Sequence, residues 1–286
     1  MTDNAVTAPT APDTSVSMSN ATVRVERHEA VAHVVLDRPD SLNSITPEMF
    51  YDLLDAGRQL AADESVRAIV LRGEGRAFCA GLDMGQFKRI VEGTMAGEPL
   101  DIPGNAEALA QQAVEIWSQV PVPVIAAIHG PALGGGFQFA LGADIRISAP
   151  DAKLSAMEVV WGIIPDMMGT QLLPRLIGPS RAKRLIFTGD TISGTQAHDW
   201  GIVDELSDDP VAAAHALAQA IAGRSRSALV WAKRLVDMAD SASLADGLAA
   251  EQQALRELRG TDEQKAAVEK RMGELAARKE IGRAHV

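Results

Sequence analysis

The stretch Pro121–Pro150, "PVPVIAAIHGPALGGGFQFALGADIRISAP", decides the fold class. Its opening run of Val, Ile and Ala reads as a strand buried on both faces. Three consecutive glycines, Gly134, Gly135 and Gly136, then lead into a helix that ends near Asp144. "IRISAP" returns to β-branched residues and reads as a further strand.

The same alternation extends outward. "TVRVER" and "VAHVVLDRP" read as a hairpin turning at His28–Ala30. "ITPEMFYDLLDAGRQLAADES" carries Pro47 just inside its start and apolar residues at helical spacing, so it reads as a helix. "VRAIVLRG" is a buried strand, "RAFCAGLDM" a loop and "NAEALAQQAVEIWSQV" a second helix. Short strands alternating with helices make the chain α/β. Beyond about residue 205 the pattern becomes almost wholly helical. Apolar faces there, including Val230, Trp231, Leu235 and Met238, suggest packing against another subunit. The expected organisation is a disordered tail over 1–20, a core over 21–205 and a helical region over 206–286. The closing "IGRAHV" breaks the preceding helical pattern.

Bulk properties narrow the function. Of 286 residues, 47% are hydrophobic, enough for a sizeable core, and the net charge is −11. That charge argues against a nucleic-acid or anionic-membrane surface. Anionic ligands remain admissible, because backbone N–H groups can hold phosphates. One cysteine, Cys79, excludes an intrachain disulfide and a cysteine zinc cluster. The six histidines show no ligand spacing, so no metal is expected. No apolar run is long enough to span a membrane, and the Thr/Ser/Ala/Pro-rich start lacks Lys and Arg, so a cytoplasmic location is expected.

Three segments stand out as candidate chemistry. In "RAFCAGLDM" the small residues Cys79, Ala80 and Gly81 let a ligand approach the backbone, although an ordinary tight connection has the same look. In "GPALGGGFQFALGAD" free N–H groups at a helix start favour developing negative charge, although glycines also serve close strand–helix packing. It is neither a G-x-G-x-x-G nor a P-loop motif. In "MEVVWGIIPDMMGTQ", Glu158 and Asp166 lie among apolar residues. Ile164–Pro165 should end any helix begun near Met157, so the chain can turn back and face both acids to one site. The competing reading is a buried ion pair with an arginine such as Arg175.

In order and spacing these segments resemble the enoyl-CoA hydratase/isomerase (crotonase) superfamily. "LDRPDSLNSI" and "LIFTGDTISGTQAHDWGIVDEL" extend the resemblance from about Thr22 to the end of the chain. The resemblance implies a spiral of ββα units with a C-terminal helical trimerisation region. It also implies an acyl-CoA thioester substrate, a homotrimer or homohexamer, and no metal or redox cofactor. By position, the oxyanion-hole donors fall on the backbone N–H of Leu82 and Gly135. Two such donors would stabilise a thioester enolate, each worth ~3 kcal/mol in comparable sites. Hydratases of the family hold water between two glutamates. One of those positions is Gln138 here, and an amide can hydrogen-bond but not act as acid or base. The other is Glu158.

Glu158 is therefore the expected general base. Val159, Val160 and Trp161 would raise its pKa if they surround it. Asp166 would be the partner acid, as in dienoyl-CoA isomerases, which usually carry an Asp where Gln138 stands. Substrate contacts are expected from Arg38, Ala80, Gly81, Asp83, Gly134, Gln138, Trp161 and Pro165. Arg38 stands in for a basic residue the family often has at Asp40, or is structural. Asp83 also suits a loop cap, and Trp161 suits the core slightly better than the acyl tunnel. Cys79 with His129 as a nucleophile pair is the remote alternative to a buried small side chain. Double-bond isomerisation leads; a 2-enoyl-CoA hydratase and a non-catalytic acyl-CoA binder are the alternatives.

Overall fold

The computed structural model describes residues 14–19, 22–92 and 98–284. Strands β1 (Thr14–Ser19), β2 (Val23–His28) and β3 (Val31–Leu36) precede α1 (Pro47–Ala62) and β4 (Ala68–Gly73). Next come α2 (Met84–Val91), α3 (Leu109–Gln119), β5 (Val124–Ile128), β6 (Pro131–Leu133), α4 (Gly135–Leu141), β7 (Ile145–Ser148) and β8 (Lys153–Ser155). After α5 (Gly169–Thr188), β9 (Ile192–Ser193), α6 (Gly194–Trp200) and β10 (Glu205–Leu206) the chain is helical: α7 (Pro210–Ala222), α8 (Arg226–Met238), α9 (Leu244–Leu258) and α10 (Asp262–Ala284).

The larger sheet runs β1-β2-β3-β4-β5-β7-β10, antiparallel from β1 to β3 and parallel from β3 onward. The two-residue side-chain period explains the near-continuous apolar strands. Ile69, Leu71, Val124, Ala126 and Ile128 face the core under α1 and α3. The alternate residues Ala68, Val70, Ile125, Ala127 and Ile147 face Ala214 and Ala218 of α7. Each large aliphatic side chain so buried contributes about 1.5–3 kcal/mol. A smaller sheet, β6-β8-β9, stands beside the first and carries the segments leading to Gly135 and Glu158.

Two expectations at the ends of the chain are corrected. Thr14–Ser19, within the expected tail, pair with β2 as an edge strand; the rest of 1–20 lies outside the described residues. The last helix continues through Ile281 to Ala284. The predicted hairpin turn is present, with Glu29 in the left-handed region at φ 55°.

The helical region is tied to the core by a buried lysine. Lys233 of α8 donates to the carbonyls of Trp117 (2.7 Å) and Val122 (3.2 Å) and pairs with Asp144 at 2.9 Å. Asp144 also accepts from the Val124 N–H at 2.7 Å. Val230, Trp231, Leu235 and Met238 are partly covered, whereas Val236, Leu244, Leu248 and Leu255 stand exposed. Among the described residues no helix is long and apolar enough to cross a membrane.

Candidate active site

Two backbone segments run side by side at the head of α4. Cys79 bridges Ala132: its N–H donates to Pro131 O at 3.0 Å, and Leu133 N–H donates to Cys79 O at 3.0 Å. Gly81 takes φ 89°, and a Cβ there would lie 2.6 Å from Leu133 O. Only glycine permits this approach. Gly134, at φ 54° and ψ −125°, makes the turn into α4.

This arrangement positions the two expected donors. Leu82 lies opposite Ile45 in a parallel bridge, in which Ile45 N–H donates to Gly81 O and Asp83 N–H donates to Ile45 O. In that pattern the N–H of Leu82 itself points away from Ile45. Gly135 is the first residue of α4, so its N–H has no acceptor within the helix. A Cβ at Gly135 would come within 2.8 Å of Ile45 Cδ1 and 2.9 Å of Met167 Sδ. Ile45 thus packs between the Leu82 loop and the start of α4.

The carboxylates come from the segment after β8. Leu133 and Ser155 are partners in the parallel β6–β8 pair, and Gly134 N–H donates to Ser155 O at 2.8 Å. That pairing carries Glu158 to the side of Gly134 and Gln138. A short 3₁₀ turn, Glu158–Trp161, follows and ends at Gly162 with φ 76°. The helix break therefore precedes Ile164–Pro165.

Glu158 is buried, with 6% exposure. Gln138 Nε2 donates to Glu158 Oε1 at 2.6 Å. The Gln138 carbonyl oxygen in turn accepts the N–H groups of Met167 and Gly169, each at 2.9 Å. Glu158 Oε2 is buried and has no hydrogen-bond partner. Burial raises the Glu158 carboxyl above its ordinary value, and the Asp166 charge adds a smaller push in the same direction.

The source of that burial differs from expectation. Val160 and Trp161 turn outward, 64% and 50% exposed, so they do not enclose Glu158. Gly134, whose added Cβ would sit 3.4 Å from Glu158 Oε1, and Gln138 are the neighbours instead. Asp166 lies at the exposed edge, where surrounding protein still removes enough water to raise its pKa. Pro165 is buried beside the start of α5. Arg175 pairs with Asp240 at 3.4 Å, which removes it as the proposed ion-pair partner of the two acids.

Several expected contacts take different roles. Arg38 is committed to Asp83 Oδ2, at 3.3 and 3.2 Å, and to Ser44. Its guanidinium braces the loop that presents Leu82, which is the structural role considered for it beside a phosphate contact. Asp83 caps α2 by accepting the Gly85 N–H at 3.0 Å, and its carboxyl is held low mainly by that bond. Ala80 N–H donates to Leu42 O at 2.9 Å. Cys79 is fully buried and its thiol is pushed up to about 12, while His129 hydrogen-bonds Gly75 O, so the nucleophile alternative fails. Trp161 leaves the core and stacks on Phe87 of α2, ring centroids 4.4 Å apart at 37°. The reading of the sequence missed Phe87, Ser44 and the N–H groups of Met167 and Gly169. Only Asp83, a helix-capping residue before "MGQFKRIV", signalled α2.

Comparison with known proteins places this geometry. The family model described as enoyl-CoA hydratase/isomerase matches residues 26–276. A 1,2-epoxyphenylacetyl-CoA isomerase of Escherichia coli (strain K12) is 36% identical over 218 residues, covering 76% of this chain and 82% of its own. An enoyl-CoA isomerase/hydratase of Mycosarcoma maydis is 36% identical, with 76% and 81% covered. The crystal structure of an enoyl-CoA hydratase from Bacillus anthracis superposes with a TM-score of 0.77 at 32% identity, over 91% of this chain and 96% of that one.

Proposed function

The chain belongs to the enoyl-CoA hydratase/isomerase family, and we propose that within it the protein moves the double bond of an enoyl- or dienoyl-CoA thioester. The observation that carries this reading is the asymmetry of Glu158. One carboxylate oxygen is held by Gln138, and the other is buried without a partner.

In the proposed reaction Glu158 Oε2 removes the proton at C2 of a 3-enoyl thioester. The electron pair moves into the carbonyl, and the resulting dienolate oxygen is held by the N–H groups of Leu82 and Gly135. These donors are fixed by the backbone before the charge appears, so little reorganisation is needed. The proton then returns at C4, the dienolate collapses, and the double bond lies between C2 and C3. No water is consumed and no redox cofactor is drawn on. On a dienoyl substrate, Asp166 supplies or accepts the proton at the distant carbon. The exposed apolar groups Trp161, which stacks on Phe87, and Ile164 would receive the acyl chain where it leaves the site.

Gln138 disfavours hydration, because its amide cannot take a proton from water and its carbonyl oxygen already accepts two backbone donors. The test is incubation with 2-trans-enoyl-, 3-enoyl- and 3,5-dienoyl-CoA in deuterated water, followed by mass spectrometry. A shifted double bond or deuterium without added water is the expected result. Gain of one water on the 2-enoyl substrate would establish a hydratase instead, and no change on any of the three would favour an acyl-CoA binder.

A further inference from the structure

The six histidines show no ligand spacing in sequence, yet folding gathers three of them with a glutamate. Glu26 and His28 are two residues apart on β2 and so share one face of the sheet. Glu26 is the direct cross-strand partner of His33 on β3, which places His33 on that face too. Helix α7 crosses the same face and brings His215 against them. The ring centroids of His28, His33 and His215 lie 4.5, 5.2 and 5.0 Å apart pairwise. No residue of this cluster belongs to the elements that build the Glu158 site.

We propose that Glu26, His28, His33 and His215 form a binding site for a divalent cation of the zinc type. Three imidazoles and one carboxylate are the donor set that such borderline cations prefer. The spacing is near that of a tetrahedral site, in which metal–nitrogen bonds of about 2.0–2.1 Å place neighbouring donor atoms about 3.3 Å apart. His33 Nε2 and His215 Nδ1 share a hydrogen bond of 2.9 Å, which a metal would replace, and His28 Nε2 and Glu26 Oε2 are 3.7 Å apart. One donor atom each from Glu26, His28 and His33 fall within 4.8 Å of one another. His215 joins these three through His33 and would complete the set by a side-chain movement.

The surroundings suit a cation despite two nearby arginines. Arg24 and Arg72 orient Glu26, at 2.8 Å on Oε1 and 3.0 Å on Oε2. Asp37 and Glu74 pair with the same guanidiniums, at 2.6 Å to Arg24 and 3.2 Å to Arg72. Three carboxylates therefore face two guanidiniums, which leaves negative charge in excess. A carboxylate oxygen already accepting from arginine keeps a further lone pair for a metal. Hydrogen bonds of this kind to a ligating carboxylate fix its orientation. His33 is buried, while Glu26, His28 and His215 are partly exposed, so an ion could reach the cluster from solvent.

The competing reading is a cluster of histidines bonded only to one another. The full-length protein, stripped with a chelator, is titrated with zinc by calorimetry and with cobalt(II) by visible absorption. Binding of one ion per chain, with the visible bands of tetrahedral cobalt and a raised melting temperature, is the expected result. His215→Ala and His28→Ala should each weaken binding by more than the roughly 10–100-fold that loss of an outer-shell partner costs. His215→Phe keeps the packing against the sheet, so a loss of binding by a variant that still melts cooperatively is a loss of ligation rather than of fold. Absence of binding, or equal affinity in wild type and the histidine variants, would overturn the assignment.

Discussion

Gln138 donates Nε2 to Glu158 Oε1 at 2.6 Å because its own carbonyl oxygen is already taken by two backbone donors, Met167 N–H and Gly169 N–H. Those donors fix which way the amide faces. The residue thus joins α4, the acid-bearing segment and the start of α5. Gln138→Ala strands two buried N–H groups, each costing about 1–3 kcal/mol. Chemical denaturation should show a loss of about 2–4 kcal/mol, with proton transfer to the acyl chain reduced at the same time.

Gln138→Glu should behave differently. The two N–H groups hold one oxygen of the new carboxylate, and the other turns onto Glu158. Two carboxylates so close share a proton and titrate as a pair. The acid limb of the kcat/KM profile should move to higher pH, while the melting temperature falls less than in the alanine variant.

Burial raises the Glu158 carboxyl above its ordinary 4.5. The folded protein then binds this proton more tightly than the unfolded chain. The associated stability is full below about pH 4.5 and is lost as pH rises through the raised value. Glu158→Gln keeps the acceptor for Gln138 and never ionises. Its melting temperature relative to wild type should therefore climb as pH rises from about 4.5 through the raised value, with turnover abolished throughout. Wild-type activity should fall as pH drops below the raised value, because the base must be ionised.

Gly81→Ala tests the backbone donor at Leu82. The new Cβ meets Leu133 O at 2.6 Å, and φ of 89° disfavours any side chain. Loss of one oxyanion donor costs about 10²–10³ in kcat in comparable sites. A fall of that size, on every acyl-CoA turned over, is the expected kinetic result.

Trp161→Ala should change acyl selectivity rather than stability. The indole is half exposed and stacked on Phe87 at 4.4 Å, so its removal should alter unfolding free energy by no more than about 1 kcal/mol. KM should rise for bulky or aromatic acyl groups and stay nearly constant for short ones, measured across a chain-length series.

The parallel strands and the hairpin were legible because period and turn chemistry are local. Gly81 and the triple glycine mark where backbone must approach backbone, whereas Leu82 and Gly135 as donors rest on the family resemblance. What lay beyond reach depended on distant partners. The donors that fix Gln138 lie 29 and 31 residues away. The structural partner of Arg38, Asp83, lies 45 residues on. Trp161 suits the core slightly better than an acyl tunnel in sequence, but Gly162 ends the 3₁₀ turn and leaves the indole outside, against α2. The Thr/Ser-rich start concealed β1, whose pairing comes from the edge that β2 offers.

Lys233 gives the helical region a structural debt to the core. Trp117 lies in the last turn of α3, where carbonyls lack intrahelical N–H donors. The ammonium that completes it comes from 116 residues downstream. Helix α8 therefore adds a donor at the C-terminal end of α3 beside the Val120 cap, and the same charge pairs with Asp144 just beyond α4, the helix that carries Gln138. Assembly of this part of the core thus finishes only when the late part of the chain arrives, so a nascent chain stopped before α8 would leave the end of α3 short of a donor and Asp144 without its cation.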